Sequence, residues 1–129
     1  MSIAMTKLES PRVAEVALKA FSSVMERWSL PNGQAAALAD MSESTWKRAK
    51  KPGFSGDLTK DQMLRISAVI GIFKSLELYF GESLARAWVS MPNDGPLFEG
   101  ARPVDTMIED GLPQFLRVRT YLDALRGGA

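Results

Sequence analysis

Residues 86–111 read RAWVSMPNDGPLFEGARPVDTMIEDG, and this stretch decides how the rest of the chain is organised. It begins in a predicted helix that carries Trp88 and runs into Pro92, which cannot extend a helix because it has no backbone N–H. The next four residues, NDGP at 93–96, are typical of a turn. Phe98 then supplies a large apolar anchor, so we expect the loop to be fixed.

A short helix is predicted later in the same stretch. Pro103 is suited to the first helical position, and Gly111 is suited to a left-handed cap at the end. The inner face of this helix is expected to hold Val104, Met107 and Ile108. Asp105, Glu109 and Asp110 lie close together in the sequence, but carboxylates near a helix are usually solvated charges. Nothing in this order indicates catalysis.

The order of these residues resembles the toxin-binding domain of the Xre/MbcA/ParS family of bacterial antitoxins. The matching positions fall within residues 81–129 and are Trp88, Pro92, Asn93, Phe98, Gly100, Pro103, Gly111 and the apolar helix after Gly111. The resemblance implies that Trp88, Pro92, Asn93 and Phe98 belong to a toxin-binding region. We expect the two aromatic rings to pack inward, so that a partner contacts the surface that they shape.

Composition disfavours most enzyme classes. The 129 residues are 46% hydrophobic, enough for one compact domain or two small halves that share a core. Cysteine and histidine are both absent, so the usual thiolate, metal-ligand and general-base chemistry is missing. Residues 1–10 lack a signal-type apolar core, and no apolar run approaches the ~20 residues of a membrane span. We therefore expect a cytoplasmic protein without cofactor or metal. We also expect two regions, residues 1–58 and residues 59–129.

The first helix is predicted to begin with Ser10 as its cap and Pro11 as its first helical residue. Its apolar positions, at helical spacing, are Val13, Val16, Ala17, Ala20, Phe21, Val24 and Trp28. Stripes of this kind usually face the core, so we expect burial rather than a docking surface. The sequence Pro-Asn-Gly at 31–33 is expected to end the helix.

Residues 34–50 resemble a helix-turn-helix. An alanine-rich helix at 34–39 is followed by a turn at Asp40 and by a second helix, which Ser42 is expected to cap. Asp40 stands where many such motifs have glycine, but aspartate tolerates the left-handed backbone better than most residues. The resemblance makes the second helix the recognition helix. The residues expected to reach DNA are Ser44, Thr45, Lys47 and Arg48, with Lys50 and Lys51 on phosphates.

The charge distribution allows DNA contact without requiring it. The whole chain has a net charge of +1, with +3 in residues 1–80 and −2 in residues 81–129. A mildly basic half is compatible with phosphate contact, but a few cations also serve solubility. The alternative is therefore a pair of packed helices with a solvated basic end.

The longest apolar stripe belongs to a predicted central helix. After a linker at 52–56, Thr59 followed three residues later by Gln62 forms a capping-box pattern that marks the helix start. The stripe consists of Met63, Ile66, Val69, Ile70, Phe73, Leu76 and Phe80. We expect both halves of the chain to pack against it. Gly71 inside this helix costs roughly 1 kcal/mol relative to alanine, which indicates close packing by a neighbour.

Two more helices are predicted in the second half. The first covers residues 81–91 and carries Leu84, Ala87, Trp88 and Met91. The second opens at Pro113. It places Phe115, Val118, Leu122 and Leu125 on one side and Gln114, Arg117, Thr120 and Asp123 on others.

The last four residues are Arg126, Gly127, Gly128 and Ala129. From their composition alone they are expected to fray. The family resemblance implies more, because antitoxins of this type are associated with RES-domain toxins, which consume or transfer from NAD, and their carboxy-terminal end can enter the toxin's active-site cleft. Two glycines without side chains would let the tail thread such a cleft. Arg126 would pair with acidic groups or occupy the space meant for a cationic nicotinamide.

Together these features predict an all-α protein, a small helical bundle with an N-terminal helix-turn-helix-like half and a C-terminal helical toxin-binding half. The resemblance implies an antitoxin that blocks a RES-domain toxin and also represses its own operon as a homo-oligomer on operator DNA. A DNA-binding transcriptional regulator without a toxin partner is the alternative. An enzyme is a third reading, which the missing cysteine and histidine disfavour.

Overall fold

The computed structural model describes residues 11–54 and 56–127, apart from the side chains of Pro11 and Arg126. In chain order the helices are α1 (Pro11–Arg27), α2 (Asn32–Leu38), α3 (Glu43–Ala49), α4 (Lys60–Phe80), α5 (Glu82–Ala87), the short 3-10 helix Trp88–Ser90, α6 (Pro103–Asp110) and α7 (Leu112–Gly127). No strand occurs within these two ranges. The predicted all-α fold class is confirmed. The predicted cap at Ser10 lies outside the described residues.

The central element is α4, against which α1, α5 and α7 all pack. Its start is fixed by the capping box that the sequence predicts. The Thr59 hydroxyl accepts a hydrogen bond from the Gln62 backbone N–H at 3.0 Å, and the Thr59 N–H donates to the Gln62 side chain at 2.9 Å. Because both free backbone donors are satisfied, the long helix has a well-defined first turn.

The last helix, α7, lies alongside α4 and runs in the same direction. The guanidinium of Arg119 covers Gly71, and four residues further along both helices the Ser75 hydroxyl donates to the Asp123 carboxylate at 3.4 Å. A side chain at position 71 would overlap the Arg119 guanidinium. The close packing predicted at Gly71 is therefore confirmed, with an arginine of α7 as the neighbour.

One apolar core joins the two halves of the chain. Trp28, at the end of α1, is 2% exposed and donates its indole N–H to the backbone carbonyl of Ala85 at 3.2 Å. Its ring also meets Phe73 of α4 edge-on, with the centroids 6.1 Å apart. In addition, α2 contacts α6. The division of the chain into regions 1–58 and 59–129 stays a prediction.

The prediction for the inner face of α1 was wrong in part. Val16 is 63% exposed, whereas Ala14, Leu18 and Met25 are buried together with the predicted Phe21, Val24 and Trp28. The buried face is therefore rotated away from Val16, toward the positions that face the rest of the core. The spacing of alanine and valine does not show which side of α1 is buried, because apolar residues occur on both sides of the helix.

The predicted end of α1 was also wrong. The helix ends at Arg27, and the chain turns at Ser29, which has a left-handed backbone with φ of 56°. Asn32 and Gly33 do not terminate α1 but form the first residues of α2. The turn is tighter than predicted because a non-glycine residue takes the left-handed conformation.

Three details of the second half also differ from the predictions. The single helix predicted at 81–91 is divided into α5 and the 3-10 helix, and Met91 is 46% exposed. Leu125 of α7 is 40% exposed because the buried face ends at Leu122. Gln114 is buried instead of solvated, and its amide N–H donates to the Thr106 hydroxyl of α6 at 3.1 Å. That hydrogen bond satisfies the polar group inside the bundle.

Candidate functional site

Three aromatic rings meet edge to face where the 3-10 helix, the following loop and α7 come together. The Trp88 and Phe98 ring centroids are 5.6 Å apart, and those of Phe98 and Tyr121 are 5.8 Å apart. Trp88 is 8% exposed and Phe98 is 3% exposed, so both rings belong to the core, as expected. We call Trp88, Phe98 and Tyr121 the aromatic stack. The only sequence signal for Tyr121 is its place three residues after Val118, beside the predicted apolar side of α7.

The loop between Pro92 and Arg102 is closed by its own hydrogen bonds. The backbone of Asn93 accepts from the Gly100 N–H at 2.7 Å and donates to the Ala101 carbonyl at 3.1 Å. The Asn93 side chain accepts from the Gly95 N–H at 2.8 Å. Gly100 has φ of 89°, a left-handed conformation that favours glycine. With the aromatic stack behind it, this loop is fixed in the way that the sequence predicts.

The chain leaves the loop through a charged pair at the start of α6. Arg102 donates two hydrogen bonds to the Asp105 carboxylate, at 2.8 and 2.9 Å. These bonds hold the pKa of Asp105 below its ordinary value. Pro103 occupies the first turn of α6 and Gly111 ends the helix with φ of 74°, as predicted. The positive φ favours glycine at this position, and the Arg65 guanidinium packs close to it, since a Cβ on Gly111 would lie 3.1 Å from that group.

The residues predicted to touch a toxin do not form one cluster. Pro92 is exposed and Asn93 is half-buried on the loop, while Trp88 and Phe98 lie beneath it. Within the tail, Gly127 is the exposed last residue of α7. The Arg126 side chain, Gly128 and Ala129 lie outside the described residues.

The predicted helix-turn-helix is formed by α2 and α3. Asp40, in the turn, has φ of 57°. This is the left-handed conformation predicted for the position where many such motifs have glycine. Ser42 caps α3 by accepting a hydrogen bond from the Thr45 N–H at 3.1 Å. Trp46 of α3 is 2% exposed, so this helix is anchored to the core by its inner face.

A side chain that the sequence prediction missed links the two helices. The Asn32 side-chain oxygen, at the start of α2, accepts from the Trp46 indole N–H at 3.1 Å and from the Lys50 ammonium at 2.8 Å. The sequence signal, an Asn-Gly pair after proline, was interpreted as the end of α1. Asn32 instead fixes the end of α3 against the start of α2.

The six residues predicted to contact DNA lie on α3 and just after it, and all except Thr45 are exposed. The Thr45 hydroxyl accepts from the Ser42 hydroxyl at 2.9 Å, so it belongs to the cap. Lys47 pairs with Glu43 at 3.4 Å. Lys50 bonds to Asn32 in the described structure. The Ser44 hydroxyl lies 3.3 Å from the Ser42 hydroxyl and shares a hydrogen bond with it. Of the six, Arg48 and Lys51 are the exposed residues without a described side-chain partner.

No group of three or more histidine, cysteine, aspartate or glutamate side chains in the described ranges is arranged to hold a metal ion. Among the described helices, none combines the length and apolar character needed to cross a bilayer.

Comparison with known proteins gives matches over nearly the whole chain. Residues 7–71 match the antitoxin Xre-like helix-turn-helix domain, and residues 75–128 match the antitoxin Xre/MbcA/ParS C-terminal toxin-binding domain. The chain is also 39% identical over 113 residues to the uncharacterised protein y4oB of Sinorhizobium fredii (strain NBRC 101917 / NGR234). This alignment covers 86% of this chain and 84% of that protein. No solved structure matches at a significant level.

The fold and these matches define a helix-turn-helix protein with a toxin-binding C-terminal domain. The chain belongs to the Xre/MbcA/ParS family of antitoxins. The resemblance seen in the order of residues 86–111 is confirmed.

Proposed function

We propose that this chain is the antitoxin of a type II toxin-antitoxin pair and that its toxin is a RES-domain protein that consumes NAD. The observation that carries the proposal is the match of residues 75–128 to the toxin-binding domain. A self-closed loop on a buried aromatic stack supports it, because a surface that is already ordered loses little conformational entropy on binding. In this proposal the chain is a cytoplasmic, non-enzymatic regulator that needs no cofactor.

Neutralisation would use two parts of the second half. The first is the surface around the loop, where exposed Pro92 and half-buried Asn93 lie above Trp88 and Phe98. The second is the tail at residues 126–129, which would enter the active-site cleft of the toxin. There Arg126 would pair with acidic groups or occupy the nicotinamide space.

Removing residues 126–129 tests the second part. We expect the shortened chain to keep its fold, because the buried face of α7 ends at Leu122, and to lose most of its ability to neutralise the toxin. The measurement is growth of cells that express the toxin together with each antitoxin variant, with circular dichroism of the purified chains. Arg126→Ala isolates the role of the cation.

A matched control for the cation is Arg86→Ala. Arg86 is an exposed arginine that also lies within residues 75–128, the toxin-binding match. It forms an ion pair with Glu82 of the same helix at 2.8 Å. Neutralisation that survives loss of the tail would refute the cleft-blocking mechanism.

DNA binding is a second activity that we propose, on the basis of the helix-turn-helix match and of the exposed side chains of Ser44, Arg48 and Lys51. Operator recognition requires a homo-oligomer, because two recognition helices must reach half-sites about 34 Å apart. A chain that binds DNA but not the product of the neighbouring reading frame would be the regulator without a toxin partner.

Arg48→Ala tests this activity on the chain's own upstream DNA. We expect weaker binding and a salt dependence reduced by about two units of slope, because each of the two recognition helices loses one arginine beside the DNA. Lys74→Ala is the control, since Lys74 is an exposed cation of α4 outside the motif. Equal binding by the two variants in a mobility-shift titration would exclude Arg48 from the DNA contact.

A further inference from the structure

A shallow groove of about 410 Å³ lies on the outer side of α7, away from α4. Its lining consists of Leu97 from the loop and of Leu116, Arg117, Thr120 and Tyr121 from α7. We call it the α7 groove.

The groove is apolar and held in shape from below. Leu116 is 52% exposed, although it is a large apolar side chain in the middle of a helix. The Tyr121 ring is held by Phe98 in the aromatic stack, and Leu97 precedes Phe98 in the closed loop. The wall and floor of the groove are thus ordered before any partner arrives, which lowers the entropic cost of filling it.

Exposed apolar side chains are concentrated in the same half of the chain. Eight large apolar side chains are exposed in the described residues, and six of them lie within residues 75–128, less than half of the chain. The six are Leu78, Tyr79, Leu84, Met91, Leu116 and Leu125. Scattered exposed leucines need no explanation, but their concentration in the residues that match a toxin-binding domain favours this half of the chain as the one that a protein partner covers. Of the six, Leu116 lines the α7 groove.

We propose that the α7 groove is a primary contact for the toxin and receives one of its apolar side chains between Leu97, Leu116 and Tyr121. All five lining residues lie inside the toxin-binding match, and four of them are on the helix that leads to the tail, so contact here is continuous with contact at residues 126–129. This inference rests on the proposed function. It adds an anchor that is distinct from the tail.

Arg117 sets the chemistry of the rim. Its described hydrogen bond is the one it donates to the side-chain oxygen of Gln114, at 3.2 Å, and it takes part in none of the ion pairs found in the described residues. The remaining guanidinium N–H groups favour a carboxylate or carbonyl oxygen beside the apolar side chain of the toxin. An open groove of this kind suits a side chain presented by a protein surface better than a small molecule, because small ligands require an enclosing pocket.

The test compares two leucines of similar exposure, Leu116 at 52% and Leu64 at 48%. Leu116→Asp places a charge in the groove, and Leu64→Asp places the same charge on α4, where Leu64 is 48% exposed and outside the toxin-binding match. The full-length variants are titrated against the purified product of the neighbouring reading frame by calorimetry, after circular dichroism shows unchanged helicity. We expect Leu116→Asp to weaken binding by at least about 10-fold, in the range of an interface anchor, and Leu64→Asp to bind like the unmodified chain.

Arg117→Glu is a second variant, which tests the groove even if the fold does not tolerate aspartate at position 116. We expect it to weaken binding with little loss of fold, since Arg117 is exposed. Binding of both groove variants with unchanged affinity would overturn the inference while leaving the proposed function intact. An unmodified chain that does not bind the neighbouring product would overturn both. Self-association is measured by sedimentation. A groove variant that no longer self-associates but keeps its affinity for the toxin would overturn the inference, because the groove would then bind a second copy of this chain.

Discussion

Phe98→Ala is expected to lower the free energy of unfolding by about 3–5 kcal/mol, the usual cost of removing a buried phenylalanine ring. Phe98 is 3% exposed and is the middle ring of the aromatic stack, with Trp88 on one side and Tyr121 on the other. Its loss leaves a cavity and also removes the anchor of the loop. Chemical denaturation followed by tryptophan fluorescence measures the change, because the three tryptophans are all buried in the folded chain.

The control for Phe98 is Leu116→Ala. Leu116 is another large apolar residue of the same region but is 52% exposed, so its truncation should change stability by no more than about 0.5 kcal/mol. A Phe98→Ala chain as stable as this control would mean that the loop has another support and that the aromatic stack does not hold it.

Trp46→Ala is expected to have an effect of similar size, about 3–5 kcal/mol, in the other half of the chain. Trp46 is 2% exposed, meets the Phe21 ring edge-on with centroids 5.3 Å apart, and donates to Asn32 at 3.1 Å. Removing it takes away the ring contact between α3 and α1 and the indole hydrogen bond from α3 to Asn32 of α2. The measurement is again equilibrium unfolding in denaturant.

Trp46→Phe separates the ring from the hydrogen bond. The ring is largely kept, and Asn32 still accepts from Lys50 at 2.8 Å, so the expected loss is only about 1–2 kcal/mol. If the phenylalanine variant loses as much as the alanine variant, the indole hydrogen bond, and not core packing, determines the position of α3.

Both core variants should unfold in a single transition at lower denaturant. Residues of the two halves belong to one core, and α4 contributes to it along most of its length. Two-state unfolding is the expected behaviour of a single cooperative unit. Two separate transitions would show instead that regions 1–58 and 59–129 are independent.

Local signals in the sequence were sufficient for much of the fold. The capping box at Thr59, the cap at Ser42 and the helix bounded by Pro103 and Gly111 are each decided by residues within a few positions of one another. The left-handed backbone of Asp40 is a similar case. Such features could be predicted because their causes, namely backbone hydrogen bonds and allowed φ values, lie within the same short segment.

Features that depend on distant residues could not be predicted in this way. Which face of α1 is buried depends on where α4 and α3 lie, so Val16 was assigned to the wrong side. Gln114 is buried because Thr106 of α6 offers it a partner, a contact that helical periodicity does not reveal. The ring of Tyr121 joins the aromatic stack only because the loop brings Phe98 to α7.

The candidate site was predicted less completely than the fold. The residues predicted to contact DNA lie on α3 and just after it, but their contacts within the protein were not predicted, since Lys50 bonds to Asn32 and Lys47 pairs with Glu43. The α7 groove was not predicted either. It depends on Leu97 of the loop meeting Leu116 of α7, two residues that no local pattern connects.

The shared use of α4 limits how this protein can be recombined with its relatives. The toxin-binding match begins at residue 75, in the last turns of a helix that starts at Lys60. A chimera joined at that point would contain α7 of this protein but most of α4 from a relative. It would lack Arg65, which lies over the Phe115 ring, and Gly71, which packs against Arg119. A chimera that keeps the whole of α4 together with the domain that follows it preserves both contacts.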